Sequence, residues 1–330
     1  MNILVIGGTQ FVGRHVVQEA LGRGHNVTLC NRGSRPDVFP GLELLKADRN
    51  ESLDVLKTRH WDVVIDTCAY FPNQLDLALD ALGGNFGHYV FISTISVYAD
   101  LLKPSQPDAI TEDSERLTAL ADAEEVTPET YGRLKVACED LLKNRLPGSH
   151  ASLRPGLVVG PFDHTDRFAY FTRRLSEGGQ VLLPADADRP LQYIDASDLA
   201  SFTLNSAEQT LTGNYNVVVP PGRYSYRDWF ELAVRLSGSS AQTVAVPPDF
   251  LAEQDVGPRE LPIYVPPSYA NLMNVSSARA LTAGLEVRSL RATVQGVLDY
   301  LSNLPAEYIF EAGLSSEREA ELIQAWRASA

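Results

Sequence analysis

Short apolar runs alternating with amphipathic stretches organise the first half of the chain. Hydrophobic segments occur at Ile3 to Ile6, Val27 to Cys30, Leu42 to Leu45, Val63 to Ile65 and Tyr89 to Ile92. They are continuous rather than alternating and too short for helices, the pattern of strands buried on both faces. Between them, Val12 to Leu21, Leu53 to Thr58 and Leu75 to Leu82 carry helical patterns. Such βαβα order predicts an α/β fold on a doubly wound parallel sheet. Beyond about residue 160 the pattern becomes mixed and richer in proline. We read residues 1–160 as the sheet domain, with segments at about 190–220 returning to it, and 161–330 mainly as a smaller mixed α/β lobe. Ser315 to Ala330 places a capping serine and acidic residues before Leu322, Ile323 and Trp326, which predicts a closing helix.

Composition narrows the classes. A chain of 330 residues with 44% hydrophobic content can bury a substantial core, so global disorder is not expected. The net charge of −14 argues against nucleic-acid and anionic-membrane partners, which need a basic face. Cys30, Cys68 and Cys138 lie in or beside apolar segments and read as free thiols of a reducing compartment. No apolar run reaches about 18 residues and no basic leader precedes the first strand, so a cytoplasmic protein is expected. The six histidines show no metal-site spacing.

The chemistry-bearing segments sit at strand ends. Residues 2–13 run from a strand through Gly7 and Gly8 into a helix containing Gly13. There a sharp turn and exposed helix N–H groups suit a pyrophosphate. The spacing is G-x-x-x-x-x-G, with Gln10 where a middle glycine would usually lie. The strand from Tyr89 ends in Ser93-Thr94-Ile95-Ser96-Val97-Tyr98. Thr127-Pro128 reads as a cap and first helical residue, starting a helix that places Tyr131 and Lys135 at i and i+4 on one face.

These segments, with Leu153-Arg-Pro-Gly-Leu-Val-Val-Gly-Pro161, follow the order and spacing of the extended short-chain dehydrogenase/reductases. The chain resembles their branch called the NAD-dependent epimerase/dehydratase family, from residue 1 to about 220. Leu191 to Ala200 and Gly213 to Asn216 resemble later motifs of that family. The resemblance implies a Rossmann domain, a substrate-binding lobe and a catalytic set of Thr94, Tyr131 and Lys135. Tyr131 would be the general acid/base. Free tyrosine titrates at about 10, so phenolate at neutral pH needs a value lower by about 3, worth about 4 kcal/mol. Lys135 would supply much of that and bond the nicotinamide ribose. Thr94 would orient the substrate oxygen, with Ser96 as competitor.

The same resemblance implies cofactor contacts from Gly7, Thr9, Gln10, Phe11, Val12 and Gly13. Further contacts would come from Thr67, Cys68 and Ala69 after the fourth strand, and from Tyr131, Lys135, Pro155, Leu157 and Val158. After the second strand, Asn31, Arg32 and Arg35 replace the acid of NAD-selective relatives. An arginine fork can bind a 2′-phosphate, so NADP(H) is preferred and NAD(H) is the alternative. Asp48 and Arg49 follow the third strand, where the family places an acid near the adenine. A helix cap near Asn50 is the other reading of Asp48.

Three positions depart from the family: Gln10, Leu157 in place of an asparagine that touches substrate, and Leu191 in place of an arginine that clamps a diphosphate. Arg189 lies two residues from Leu191. The acidic segment from Ala99 to Val126 reads as a lid, and Asp163-His164-Thr165-Asp166-Arg167 as pocket lining. Ser96, His164 and Arg189 are candidate substrate contacts. The leading expectation is an NADP(H)-dependent oxidoreductase acting on a carbonyl or secondary alcohol of a small molecule. A sugar-nucleotide epimerase or dehydratase that keeps its cofactor is second. A non-catalytic nucleotide- or RNA-binding relative is third, because the Gly-Gly-Thr-x-Phe turn resembles chloroplast RNA-binding members. Relatives often form homodimers through two helices, one being the Tyr131 helix.

Overall fold

The computed structural model describes residues 1–57, 59–305 and 307–329. Seven strands form one parallel sheet: β1 (Asn2–Ile6), β2 (Asn26–Asn31), β3 (Glu43–Lys46), β4 (Trp61–Asp66), β5 (Phe86–Ile92), β6 (His150–Pro155) and β10 (Gly213–Val217). Their order is β10-β6-β5-β4-β1-β2-β3, which reverses between β1 and β4. Doubly wound sheets hold ligands at the carboxyl ends of strands near such a reversal. Residues Ile3 to Val5 and Val64 to Ile65 are fully buried, as continuous apolar strands require. The third apolar run differs from its expected burial. β3 lies at the sheet edge with Glu43, Leu44 and Lys46 exposed, because only one neighbour covers it.

Helices cover both faces. On one, α1 (Phe11–Gly22) packs against α5 (Ala196–Glu208); on the other lie α2 (Pro72–Leu82) and α3 (Pro128–Arg145). Thr127 caps α3 by accepting from Thr130 N, with Pro128 opening the helix. The helix expected at Leu53 to Thr58 is instead a single turn at Asp54–Leu56. Only Leu53 and Leu56 find buried partners there, and Thr58 lies outside the described residues.

The remaining elements surround a second core. They are β7 (Val158–Val159) paired with β9 (Ile194–Asp195), and β8 (Gln180–Pro184) paired with β11 (Gln242–Val246). The helices are α4 (Arg167–Glu177), α6 (Tyr226–Ser237), α7 (Pro248–Glu253), α8 (Ala278–Thr282), α9 (Leu290–Leu301) and α10 (Ser316–Ser329). Trp229 of α6 stacks on Phe168 of α4 at 4.1 Å, and its buried indole N–H donates to Thr172 Oγ1 at 3.1 Å. The closing helix is α10; Ala330 lies outside the described residues.

The acidic segment expected as a lid is a strap tied down along its length. Ile110 N donates to Asn274 O at 2.9 Å, Ser276 N donates to Ile110 O at 2.7 Å, and buried Glu112 accepts Asn216 N at 2.9 Å. Its aliphatic residues Leu101 and Ile110 supply the burial that its charge pattern hides.

Glu139 of α3 and Arg154 of β6 form a buried ion pair. Arg154 Nε and Nη2 donate to the two carboxylate oxygens at 2.9 and 2.6 Å, and Ser93 Oγ donates at 2.6 Å. Removing one member of such a pair strands the other charge away from water. Glu139→Ala is expected to destabilise the fold by about 3–5 kcal/mol. Urea unfolding checks this, with loss below about 1 kcal/mol as the contrary result.

Candidate active site

The turn after β1 brings backbone close to backbone. Gly7 and Gly8 have φ of +103° and +87°. A Cβ on Gly13 would lie 2.8 Å from Gly8 N, so only glycine lets α1 start against the turn. Gln10 stands before the helix without a side-chain cap, which leaves first-turn N–H groups for a ligand. The turn lines a cavity of about 460 Å³ with Asn31, Arg32, Asp48, Arg49, Thr67 and Cys68. Shape and donors both fit a dinucleotide's phosphates.

The structure separates the side chains of this cavity by what they already bind. Asn31 is occupied, donating to Gly7 O and accepting Gly33 N at 2.8 Å each. Arg32 is exposed at the cavity beside Ser34, whereas Arg35 does not line it. Asp48 accepts Asn50 N at 2.9 Å. The guanidinium of Arg49 is held by Asp66 at 2.9 and 2.8 Å. Burial opposes ionisation of Asp66, yet Arg49 overrides it and holds the carboxyl below the usual carboxylate range. Ala69, expected at the cofactor, is fully buried and lines neither cavity; its carbonyl faces Lys135.

A second cavity of about 320 Å³ shares Phe11, Val12, Thr67, Tyr70 and His164 with the first. Thr94, Ser96, Tyr131 and Lys135 line it, as do Pro155, Leu157 and Val158. The chain after β5 leaves the sheet through a single turn at Ile95–Val97, capped by Thr94 Oγ1 accepting Ser96 N at 3.1 Å. Gly132 meets this turn so closely that a Cβ would lie 2.1 Å from Ser96 O. Tyr131 is thereby set beside Thr94.

Two electrostatic expectations are corrected here. Lys135 Nζ donates to Ala69 O at 2.8 Å and Ile92 O at 2.9 Å, and burial lowers its pKa. It points to the ends of β4 and β5 rather than acting as the charge that lowers the Tyr131 pKa. Burial raises Tyr131 above its ordinary value, and Thr94 and Arg167 only partly draw it back. The phenol is therefore protonated at neutral pH.

Arg189 is also corrected as a substrate contact. It lines neither cavity, since Asp186 at 2.9 Å and Val265 O at 2.7 Å hold it. Conversely, Tyr70 and Leu272 line the catalytic cavity without having been singled out. Tyr70 was signalled by its place just past β4; Leu272, distant in sequence, carried no local signal. Cys30, Cys68 and Cys138 are free, and burial raises all three thiol pKa values.

Fold and cavities define an α/β enzyme of the short-chain dehydrogenase/reductase type, with a nucleotide turn leading into a Thr-Tyr-Lys pocket. The chain belongs to the NAD-dependent epimerase/dehydratase family, whose model matches residues 3–76 and 71–218. It is 27% identical over 223 residues to the chloroplast stem-loop binding protein of 41 kDa b from Arabidopsis thaliana. That match covers 62% of this chain and only 54%, about half, of the relative. A bifunctional pinoresinol-lariciresinol reductase from Linum perenne is 22% identical over 267 residues, covering 76% of this chain and 80% of the relative. The structure of UDP-glucuronic acid 4-epimerase from Bacillus cereus, solved with NAD, superposes with a TM-score of 0.66 at 17% identity, covering 92% of this chain and 99% of that one. This likeness is one of fold. No helix among the described residues is long and apolar enough to cross a membrane.

Because a Cβ on Gly13 would press on backbone, Gly13→Ala is expected to weaken dinucleotide binding by about tenfold or more. Fluorescence titration of folded protein measures this; unchanged affinity would remove the turn from the binding site.

Proposed function

We propose that this protein is an NADP(H)-dependent oxidoreductase that reduces a carbonyl, or oxidises a secondary alcohol, of a small molecule. The observation that carries the reading is the placement of Tyr131 beside Thr94 in a cavity that shares its lining with the nucleotide turn; burial, which raises the phenol's pKa, favours its protonated form. A bound nicotinamide supplies or accepts the hydride. Thr94 orients the substrate oxygen, and Tyr131 Oη gives that oxygen the proton that completes an alcohol. Lys135, anchored on two strand-end carbonyls, would present its remaining N–H to the ribose.

NADP(H) is favoured because Arg32 and Ser34 face the first cavity where an acid would select NAD(H). A redox-neutral epimerase or dehydratase is the second reading, supported by the fold likeness to the Bacillus cereus epimerase. Leu157 in the cavity, Leu191 fully buried and Arg189 committed elsewhere weigh against a sugar nucleotide. RNA binding, suggested by the Arabidopsis relative, is opposed by the charge of −14.

Titration with NADPH and NADH in parallel is the first test. Tighter NADPH binding, lost in Arg32→Glu, supports the 2′-phosphate role; unchanged affinity in that variant rejects it. Net NADPH consumption with a carbonyl substrate favours the reductase, and turnover without consumption favours the epimerase. Tyr131→Phe is expected to lower the rate by about 10²–10⁴-fold. Since burial raises the Tyr131 pKa, reduction should remain flat through neutral pH and fall only above about pH 10, as the donor deprotonates.

A further inference from the structure

One cation of the catalytic cavity acts on Tyr131 only through its field and neither gives nor takes the proton. Arg167 opens α4 and lines this cavity together with Tyr131. Its Nε donates to Thr165 Oγ1 at 2.9 Å, and Thr165 donates to Asp163 Oδ1 at 2.6 Å, which steadies the side chain. Its two Nη groups have no hydrogen-bond or ion-pair partner among the described residues. Arg49, Arg154, Arg174 and Arg189, also shielded from solvent, are by contrast matched to carboxylates. Asp163 borders the cavity too; its Oδ1 accepts from Thr165 N and Oγ1, its Oδ2 is buried without a hydrogen-bond partner among the described residues, and it makes no ion pair with Arg167. A guanidinium fork whose Nη groups are unpaired at a cavity wall is complementary to a carboxylate carried by a ligand.

The rest of the wall limits the ligand. Ile95, Leu101, Leu157 and Leu272 give it apolar sides. Its volume of about 320 Å³ is at the lower end for small-molecule sites and must be shared with the nicotinamide, so the substrate is small. Lys135 is taken by two carbonyls and Arg189 lies elsewhere, so the arrangement provides for one negative charge rather than a diphosphate.

We propose that the substrate is a small oxo acid or hydroxy acid with an apolar body, its carboxylate set on Arg167 and its reacting oxygen toward Tyr131. This rests on Tyr131 as the proton donor, but its test reads binding, separately from turnover. The full-length protein, with and without NADP⁺, is titrated calorimetrically with phenylpyruvate and its amide, and with hexanoate and its amide. Each acid is expected to bind about tenfold or more tightly than its amide, the worth of a charge-assisted hydrogen bond. Arg167→Gln should abolish the difference, and Arg167→Lys should keep part of it, which separates loss of charge from loss of fold. Equal binding of acids and amides, binding of neither, or a preference that persists in Arg167→Gln would overturn the proposal. NADPH oxidation with phenylpyruvate and with neutral ketones is then followed. Arg167-dependent acid binding without turnover of any carbonyl keeps the carboxylate site and removes the reductase reading. Turnover of neutral ketones without an acid preference keeps the reductase and removes the carboxylate site.

Discussion

The relative placement of the proposed reacting groups depends on a carboxylate sealed inside the molecule. Glu139 accepts from Ser93 Oγ, from Nε and Nη2 of Arg154, and from Arg116 Nη1. Burying two opposite charges costs several kcal/mol per ion, and only a geometry that fills their hydrogen-bonding capacity offsets it. Arg154 meets that condition further by donating to Tyr98 OH, which donates to Asn216. The consequence is positional. Ser93 immediately precedes Thr94, Glu139 lies one turn beyond Lys135, and Arg154 immediately precedes the cavity wall at Pro155 to Leu157. One carboxylate therefore fixes α3 against β5 and β6, and Gly132 lets the helix close on the Ser96 turn without a Cβ between them.

Within that frame, burial and charge compete over Tyr131, and burial wins. The proximity of i and i+4 on a helix suggested that Lys135 would stabilise a phenolate, but its ammonium finds two backbone carbonyls instead. Parallel strands end in carbonyls whose lone pairs need donors. A lysine that ties the chain after β4 to the end of β5 satisfies two of them at the place where the ligand would lie. The phenol left beside Thr94 stays protonated at neutral pH, the state that the proposed protonation of a substrate oxygen requires.

Five of the seven sheet strands were legible in the sequence because continuous apolar runs bounded by turns have few other outcomes, whereas β6 and β10 carry no such run; α3 was legible from Thr127-Pro128 and its period. The short segment at Leu53 was misread since two buried leucines one turn apart satisfy a helical pattern without sustaining a helix. The strap over 99–126 was misread for the opposite reason. Its acidic residues dominate the sequence, while its anchors are backbone bonds to Asn274 and Ser276, more than 160 positions away. Site residues carried by local motifs were recovered as neighbours of one cavity: Thr94, Tyr131 and Lys135. Arg189 was not, because nearness to Leu191 in sequence says nothing about Asp186 and Val265, which hold its side chain. Nor could sequence tell that Arg49 is neutralised while Arg32 and Arg167 lack a carboxylate partner.

That distinction reconciles an acidic protein with the anionic ligands proposed for it. A net charge of −14 opposes the approach of anions at long range, but physiological salt screens exposed charges beyond about 8 Å. Inside a cavity the nearest unmatched cation decides affinity, since a charge-assisted hydrogen bond there is worth more than the screened field. Arg32 borders the nucleotide cavity and Arg167 the catalytic one, while Arg49 and Lys135 are already engaged with the protein itself. The fold thus spends two cations on its own strand ends and leaves one at each proposed ligand position. On the proposed reading, net charge governs how quickly anions arrive, and these two arginines govern which of them stay.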